Sequence, residues 1–182
     1  MNPPPPTRAL ADLLLRRGYE RRPEPFQLTS GGTSHDYVDG KYAVAHGATL
    51  RQVAEAVLAV IGSDFDAIGG PTMGADALAH AVAVVGGVEW FSVRKEPKGH
   101  GRRAWVEGAR LEPGARVVVV EDVTSTGASL LRAVDRVAQL GVEVVAATAL
   151  LDRSPRVARA FAERGIPWKP LLVWSDIGIE PL

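Results

Sequence analysis

Two acids, Glu121 and Asp122, stand directly after an unbroken valine run, Val117 to Val120, and directly before Val123-Thr124-Ser125-Thr126-Gly127-Ala128-Ser129. Thr124, Ser125 and Thr126 supply hydroxyl donors, and Gly127 lets backbone amides come close to an anion. A helix starting there would add unpaired N–H groups and a partial positive charge. Together these parts make a cradle for a monophosphate. Carboxylates aimed at that phosphate would repel it, so Glu121 and Asp122 are better placed to accept hydrogen bonds from sugar hydroxyls or to hold a hydrated Mg²⁺. The segment is not a Walker A loop, because no lysine follows the glycine, and it is not GxGxxG. A second constellation, Arg94-Lys95-Glu96-Pro97-Lys98-Gly99-His100-Gly101, gathers cationic side chains with no hydrophobic anchor. Such a loop suits an anionic leaving group whose charge grows in a transition state, and it can close over a site.

These residues need a frame. The valine run has no polar break, as in a central parallel strand covered on both faces. Around it, strands are expected at 67–69, 90–93, 142–151 and 168–173. Helices are expected at 7–17, 48–61, 75–85, 127–140 and 155–164, from apolar spacing and glycine stops. Short strands at 26–28 and 37–38 flank a turn at Ser30-Gly31-Gly32. Repeated strand–helix units predict an α/β fold with a doubly wound parallel sheet, whose carboxyl edge binds ligands. A single domain over 1–182 is expected, with about 1–45 forming a helix and small hood and about 46–182 the core.

Composition bounds the function. The 182 residues are 46% hydrophobic, which excludes a disordered chain. Formal net charge is zero, so bulk nucleic acid is not the expected partner. There are no cysteines, which removes disulfides and thiolate metal sites, and His35, His46, His80 and His100 show no metal-binding spacing. The apolar runs at 81–88 and 144–151 fall far short of the ~20 residues that span a bilayer. No signal-like run follows the prolines near Met1, so a cytoplasmic protein without a membrane partner is expected.

The stretch from Val117 to Ser129 resembles the binding motif for phosphoribosyl pyrophosphate (PRPP) of type I phosphoribosyltransferases. The resemblance implies that Glu121 and Asp122 bind the ribose 2- and 3-hydroxyls, and that Val123, Thr124, Ser125, Thr126, Gly127, Ala128 and Ser129 surround the 5-phosphate. The 94–101 segment is similar to the RKExKxHG loop of orotate phosphoribosyltransferases. That likeness implies that Arg94, Lys95, Lys98 and His100 bind PRPP and its pyrophosphate, with Lys98 and Asp122 catalytic. It also implies a homodimer in which loop 94–103 reaches into the neighbouring subunit's site.

Three weaker segments agree. Leu28-Thr29-Ser30-Gly31 with Ser34-His35-Asp36-Tyr37-Val38-Asp39 resembles the family's base-pocket element, and Gly69-Gly70-Pro71-Thr72-Met73-Gly74 its pyrophosphate loop. Leu151-Asp152-Arg153 resembles its LDR element, so Arg153 is expected on the orotate carboxylate, together with Ser125. A guanidinium suits that group through two parallel donations. Thr29 and Met73 stand where many relatives carry lysine, Ser125 where a threonine is frequent and Glu121 where an aspartate is. The family's reaction joins orotate to the ribose 5-phosphate of PRPP, giving orotidine 5'-monophosphate and pyrophosphate in pyrimidine (UMP) biosynthesis. Mg²⁺ would arrive bound mainly through PRPP, with no protein metal site. Two alternatives share the motif: a phosphoribosyltransferase for another base, which has no use for Arg153 as a carboxylate ligand, and a non-catalytic PRPP-sensing regulator, which usually needs a nucleic-acid-binding region.

Overall fold

The computed structural model describes residues 5–28, 31–96 and 105–182. Its centre is a six-stranded sheet built from β3 (Ala67–Pro71), β4 (Glu89–Val93), β5 (Val106–Gly108), β6 (Arg116–Thr124), β7 (Glu143–Asp152) and β8 (Leu172–Val173). The order across the sheet is β5-β4-β3-β6-β7-β8. All neighbours are parallel except β4 and β5. From β3 the chain adds strands outward through β4, then returns to β3's other side with β6 and adds β7 and β8. The switch point therefore lies between β3 and β6, and a crevice forms at their carboxyl ends.

The valine run shows why the sheet is covered twice. Side chains alternate across a strand. Val118 and Val120 pack with Leu14 of α1 (Pro5–Arg17), Val57 of α3 (Gly47–Ile61) and Val82 of α4 (Asp76–Gly86). Val117 and Val119 pack with Val134 of α5 (Ala128–Ala138) and Phe161 of α6 (Pro155–Glu163). All four valines are fully buried, each contributing roughly 1.5–3 kcal/mol relative to exposure.

The amino-terminal segment divides. A separate antiparallel pair, β1 (Tyr19–Gln27) and β2 (Thr33–Val38), forms the hood. Helix α1 instead places Leu10, Leu13 and Leu14 in the main core, next to Ile177 in the 3-10 turn Trp174–Ile177. A one-turn helix, α2 (Gly40–Val44), joins hood to core, with the Asp39 side chain accepting from the Lys41 N–H at its start.

The strands differ from expectation at three places. β1 runs through Pro23 and Pro25, and its register breaks between Arg21 and Phe26, where missing N–H groups cost the ladder nothing. The last strand shrinks to Leu172–Val173: the Lys169 and Leu171 N–H groups still donate to the Ala147 and Ala149 carbonyls, but Trp168 makes only an isolated bridge to Ala147. β5 was not expected at all, and it turns the parallel sheet into a mixed one.

Candidate active site

Strand β6 carries the two acids to the edge of the sheet. Glu121 and Asp122 lie within the strand, are almost fully buried, and are followed by the turn into α5. Adjacent strand residues point to opposite faces, yet both carboxylates reach the same spot beside Gly74. A Cβ on that glycine would lie 2.5 Å from Asp122 Oδ1 and 2.6 Å from Glu121 Oε1. Any side chain at 74 would push the β3 exit loop away from the acids. That loop, Pro71-Thr72-Met73-Gly74, forms the opposite wall, and its Thr72–Met73 peptide is cis.

Between these walls lies a cleft of about 970 Å³, at the upper end of small-ligand sites. Glu121, Asp122, Ser125 and Ser129 line one side, and Tyr37, Val38 and Asp39 of the hood another. Among the described residues its positive charges are Lys41, Arg94 and Lys95. Lys41 Nζ sits 2.9 Å from Asp39 Oδ1 and 3.8 Å from Asp122 Oδ2. Burial pulls the Lys41 ammonium's pKa down, but the Asp39 hydrogen bond and the Asp122 charge outweigh it and leave the pKa raised. Glu121 is driven well above the usual carboxylate range, first by burial and then by the neighbouring Asp122 charge. The pair thus resists carrying two negative charges unless hydroxyl donors or a cation join it.

The cradle follows directly. Thr124 to Leu130, with Glu121, border a hollow of about 150 Å³ at the start of α5. Gly127 holds the helix N-cap in the left-handed region at φ 72°, with no side-chain cap, and the Ala128 N–H donates to Thr126 Oγ1 at 3.3 Å. One expected donor is used otherwise. Thr124 borders the hollow, but its buried hydroxyl donates inward to Asp152 Oδ1 at 2.9 Å. The hydroxyls of the cradle are those of Ser125, Thr126 and Ser129.

Asp152, marked in the sequence only as part of the Leu151-Asp152-Arg153 element, is a buried hub. Besides Thr124, it accepts from the Ser154 N–H at 3.0 Å and from Trp168 Nε1 at 2.9 Å. Burial raises its carboxyl pKa, and these three donors counter that shift. The hub fixes Arg153, whose N–H donates to the Thr124 carbonyl at 2.9 Å. Arg153 is buried under the hood rather than on the wall of the main cleft. Its Nη2 lies 3.4 Å from Ser34 Oγ, and its Nε has no hydrogen-bond partner among the described residues. Burial lowers its pKa, and Asp36 and Tyr19 pull it back up.

The phosphoribosyl transferase domain model matches residues 43–160. An orotate phosphoribosyltransferase from Nostoc sp. is 36% identical over 175 residues, covering 93% of this chain and 84% of that relative. One from Methanothermobacter thermautotrophicus is 40% identical over 169 residues, covering 93% and 92%. The chain belongs to the orotate phosphoribosyltransferase family. The orotate phosphoribosyltransferase of Mycobacterium tuberculosis in complex with PRPP superposes with a TM-score of 0.78 at 31% identity, covering 96% of this chain and all of that one. Membership accounts for the doubly wound sheet and assigns the chain to the pentosyltransferases.

Against that family pattern, the structure brings Glu121, Asp122, Val123, Ser125, Ser129, Arg94 and Lys95 around one cleft, with Thr124, Thr126, Gly127 and Ala128 in the adjoining cradle. Lys98, His100 and Thr29 lie outside the described residues. Met73 is 73% exposed at the cleft mouth. Glu121 and Asp122 are hard oxygen donors suited to Mg²⁺. Among the described residues no group of three or more His, Cys, Asp or Glu side chains could hold a metal alone. Lying together beside Gly74, the two carboxylates could supply oxygen ligands to a divalent metal. No described helix is long and apolar enough to cross a membrane.

Proposed function

We propose that the chain transfers the ribose 5-phosphate of PRPP to orotate, releasing pyrophosphate, in a cleft completed by a second copy of itself. The carrying observation is the continuous run from two buried carboxylates into a hydroxyl-lined helix N-terminus, faced by Arg94 and Lys95 across the cleft. The 5-phosphate rests against Ser125 to Ser129 and the first N–H groups of α5. Glu121 and Asp122 accept hydrogen bonds from the ribose hydroxyls, which fixes the anomeric carbon over the cleft. Orotate N1 attacks that carbon and gives up its proton to solvent as pyrophosphate departs, through an oxocarbenium-like transition state with no covalent enzyme intermediate. Arg94, Lys95, Lys98 and His100 stabilise the departing charge, Lys98 and His100 reaching in from the partner subunit. Mg²⁺ bound through PRPP would neutralise further charge on the diphosphate.

Arg153 and Ser125 are proposed to take the orotate end. A buried Nε without a partner supports Arg153 in that role, because a carboxylate would satisfy it. The test is loss of orotate absorbance on mixing with PRPP and Mg²⁺, with uracil, adenine and hypoxanthine as competitors. Turnover of orotate alone is expected. Preferential use of another base would reassign the substrate, and PRPP binding without turnover would favour a sensor.

A further inference from the structure

We infer that Arg136 is a positioning residue that holds Arg94 and Lys95 toward the cleft. The inference rests on the functional reading above and deepens it. Arg136 occupies the last turn of α5. Its Nη1 donates to the Arg94 carbonyl, and its Nη2 donates to the Lys95 carbonyl at 3.3 Å. Its guanidinium carbon lies 3.6 Å from the centroid of the Trp105 ring. Arg94 and Trp105 are themselves joined, the Arg94 N–H donating to the Trp105 carbonyl at 2.8 Å, just beyond the Val93–Val106 end of the β4–β5 ladder. One side chain therefore grips both strands of the hairpin where they leave the sheet.

The chemistry of the grip requires arginine. Two donors on one planar edge meet two successive carbonyls while the flat face covers an aromatic ring. A lysine ammonium has neither the fork nor the face. The grip matters because Arg94 and Lys95 border two spaces, the main cleft and a side pocket of about 420 Å³ that Arg132 and Arg136 also line. With their carbonyls fixed, the start of both side chains is fixed between these spaces. Arg94 is steered further by Glu107, whose Oε1 lies 3.5 Å from its Nη1. Arg136 also ties this root to the cradle. The same helix begins at the phosphate hollow, about 12 Å away from Ala128 to Arg136 at helical rise, and Arg132 between them donates to Ser129 Oγ at 3.2 Å. Ser129, Arg132 and Arg136 thus form a stripe along α5 from phosphate to loop root.

The experiment compares wild type, Arg136→Ala and Arg136→Lys by steady-state kinetics and thermal melting. It adds Arg136→Ala in an Arg94→Ala/Lys95→Ala background. For Arg136→Ala, kcat/KM for PRPP is expected to fall about ten- to a hundredfold, the cost of a misplaced group far from the bond being made. The KM for orotate and the melting temperature should stay close to wild type, and lysine should not rescue. In the double-alanine background the further loss should be under about twofold, because a residue acting through absent partners has nothing left to lose. Wild-type kinetics for Arg136→Ala, full rescue by lysine, an additive loss in the background, or a loss that tracks a fall in melting temperature would each overturn the inference. Wild-type turnover tests the functional reading separately. If wild type turned over no orotate, calorimetry with pyrophosphate would still decide, with weaker binding expected in Arg136→Ala and equal binding overturning the role.

Discussion

Glu121 is held in an environment that disfavours its charge. Burial comes first and the Asp122 carboxylate second, and both raise its pKa above the value in the unfolded chain. A group raised in this way stabilises the fold fully below the unfolded value and loses that contribution as pH climbs through the folded value. Glu121→Gln should therefore melt above wild type at about pH 8, with the gap closing toward about pH 4.5 as the wild-type carboxyl protonates. Calorimetric scans at the two pH values check this, and a gap that widened on acidification would contradict it. The same variant should lose turnover, since an amide presents one acceptor where the ribose hydroxyls would meet two. Arg153 provides a second prediction at this scale. Removing it as Arg153→Ala should raise the KM for orotate by roughly ten- to a hundredfold, the worth of a charge-assisted hydrogen bond at about 1.5–3 kcal/mol. The KM for PRPP should change little, and initial rates with each substrate varied in turn separate the two. These residues were legible to different degrees. Adjacent acids before a hydroxyl-rich turn stand out in sequence. Asp152 and Arg136 do not, because their importance comes from partners sixteen to forty-two positions away.

The element that does most is the corner from β6 into α5, and its geometry turns on two glycines. At Gly127 a left-handed φ of 72° and a Val157 methyl 3.1 Å from the position of a Cβ both exclude a side chain. Gly127→Ala should cost about 1–2 kcal/mol of stability and weaken PRPP binding together, as read by chemical denaturation and calorimetry. Gly74 presents a different case, since its obstacle is the acid pair rather than its own backbone. Gly74→Ala should leave the melting temperature near wild type while raising the KM for PRPP, because the β3 exit loop can move outward into the cleft mouth. A large fall in stability would mean that the loop cannot yield. The main strands and helices were readable because their periods are long and unbroken. The four-valine run announced a doubly covered strand, and its residues do divide between the two cores. What escaped were short or locally contradictory pieces. α2 is a single turn behind an Asp-Gly pair that reads as a loop, and β5 has three residues. β1 hides two prolines inside a strand, tolerated only because the ladder is irregular there.

At the scale of the whole molecule, the proposed sharing of sites between subunits makes a sharp prediction. Lys98→Ala and Asp122→Asn should each be inactive alone. Unfolded together and refolded as an equal mixture, they should recover about a quarter of wild-type activity, since half the dimers would be mixed and each would carry one intact site. If the basic segment served its own subunit, both sites of a mixed dimer would be damaged and nothing would return. A neutral net charge leaves attraction of anionic substrates to the local cluster at the cleft rather than to the molecule's overall field. The Asp152 hub has a consequence of its own. It bolts the first residue of the phosphate hollow to the arginine proposed for the other end of the nucleotide, across two strands already locked in register at Thr124 and Asp152. The gap between those two grips is thus set by the sheet itself, like the jaws of a calliper with no screw. On the proposed assignment, a product whose acid group sat at another distance from its phosphate would engage one jaw only, and would be rejected by length as well as by charge.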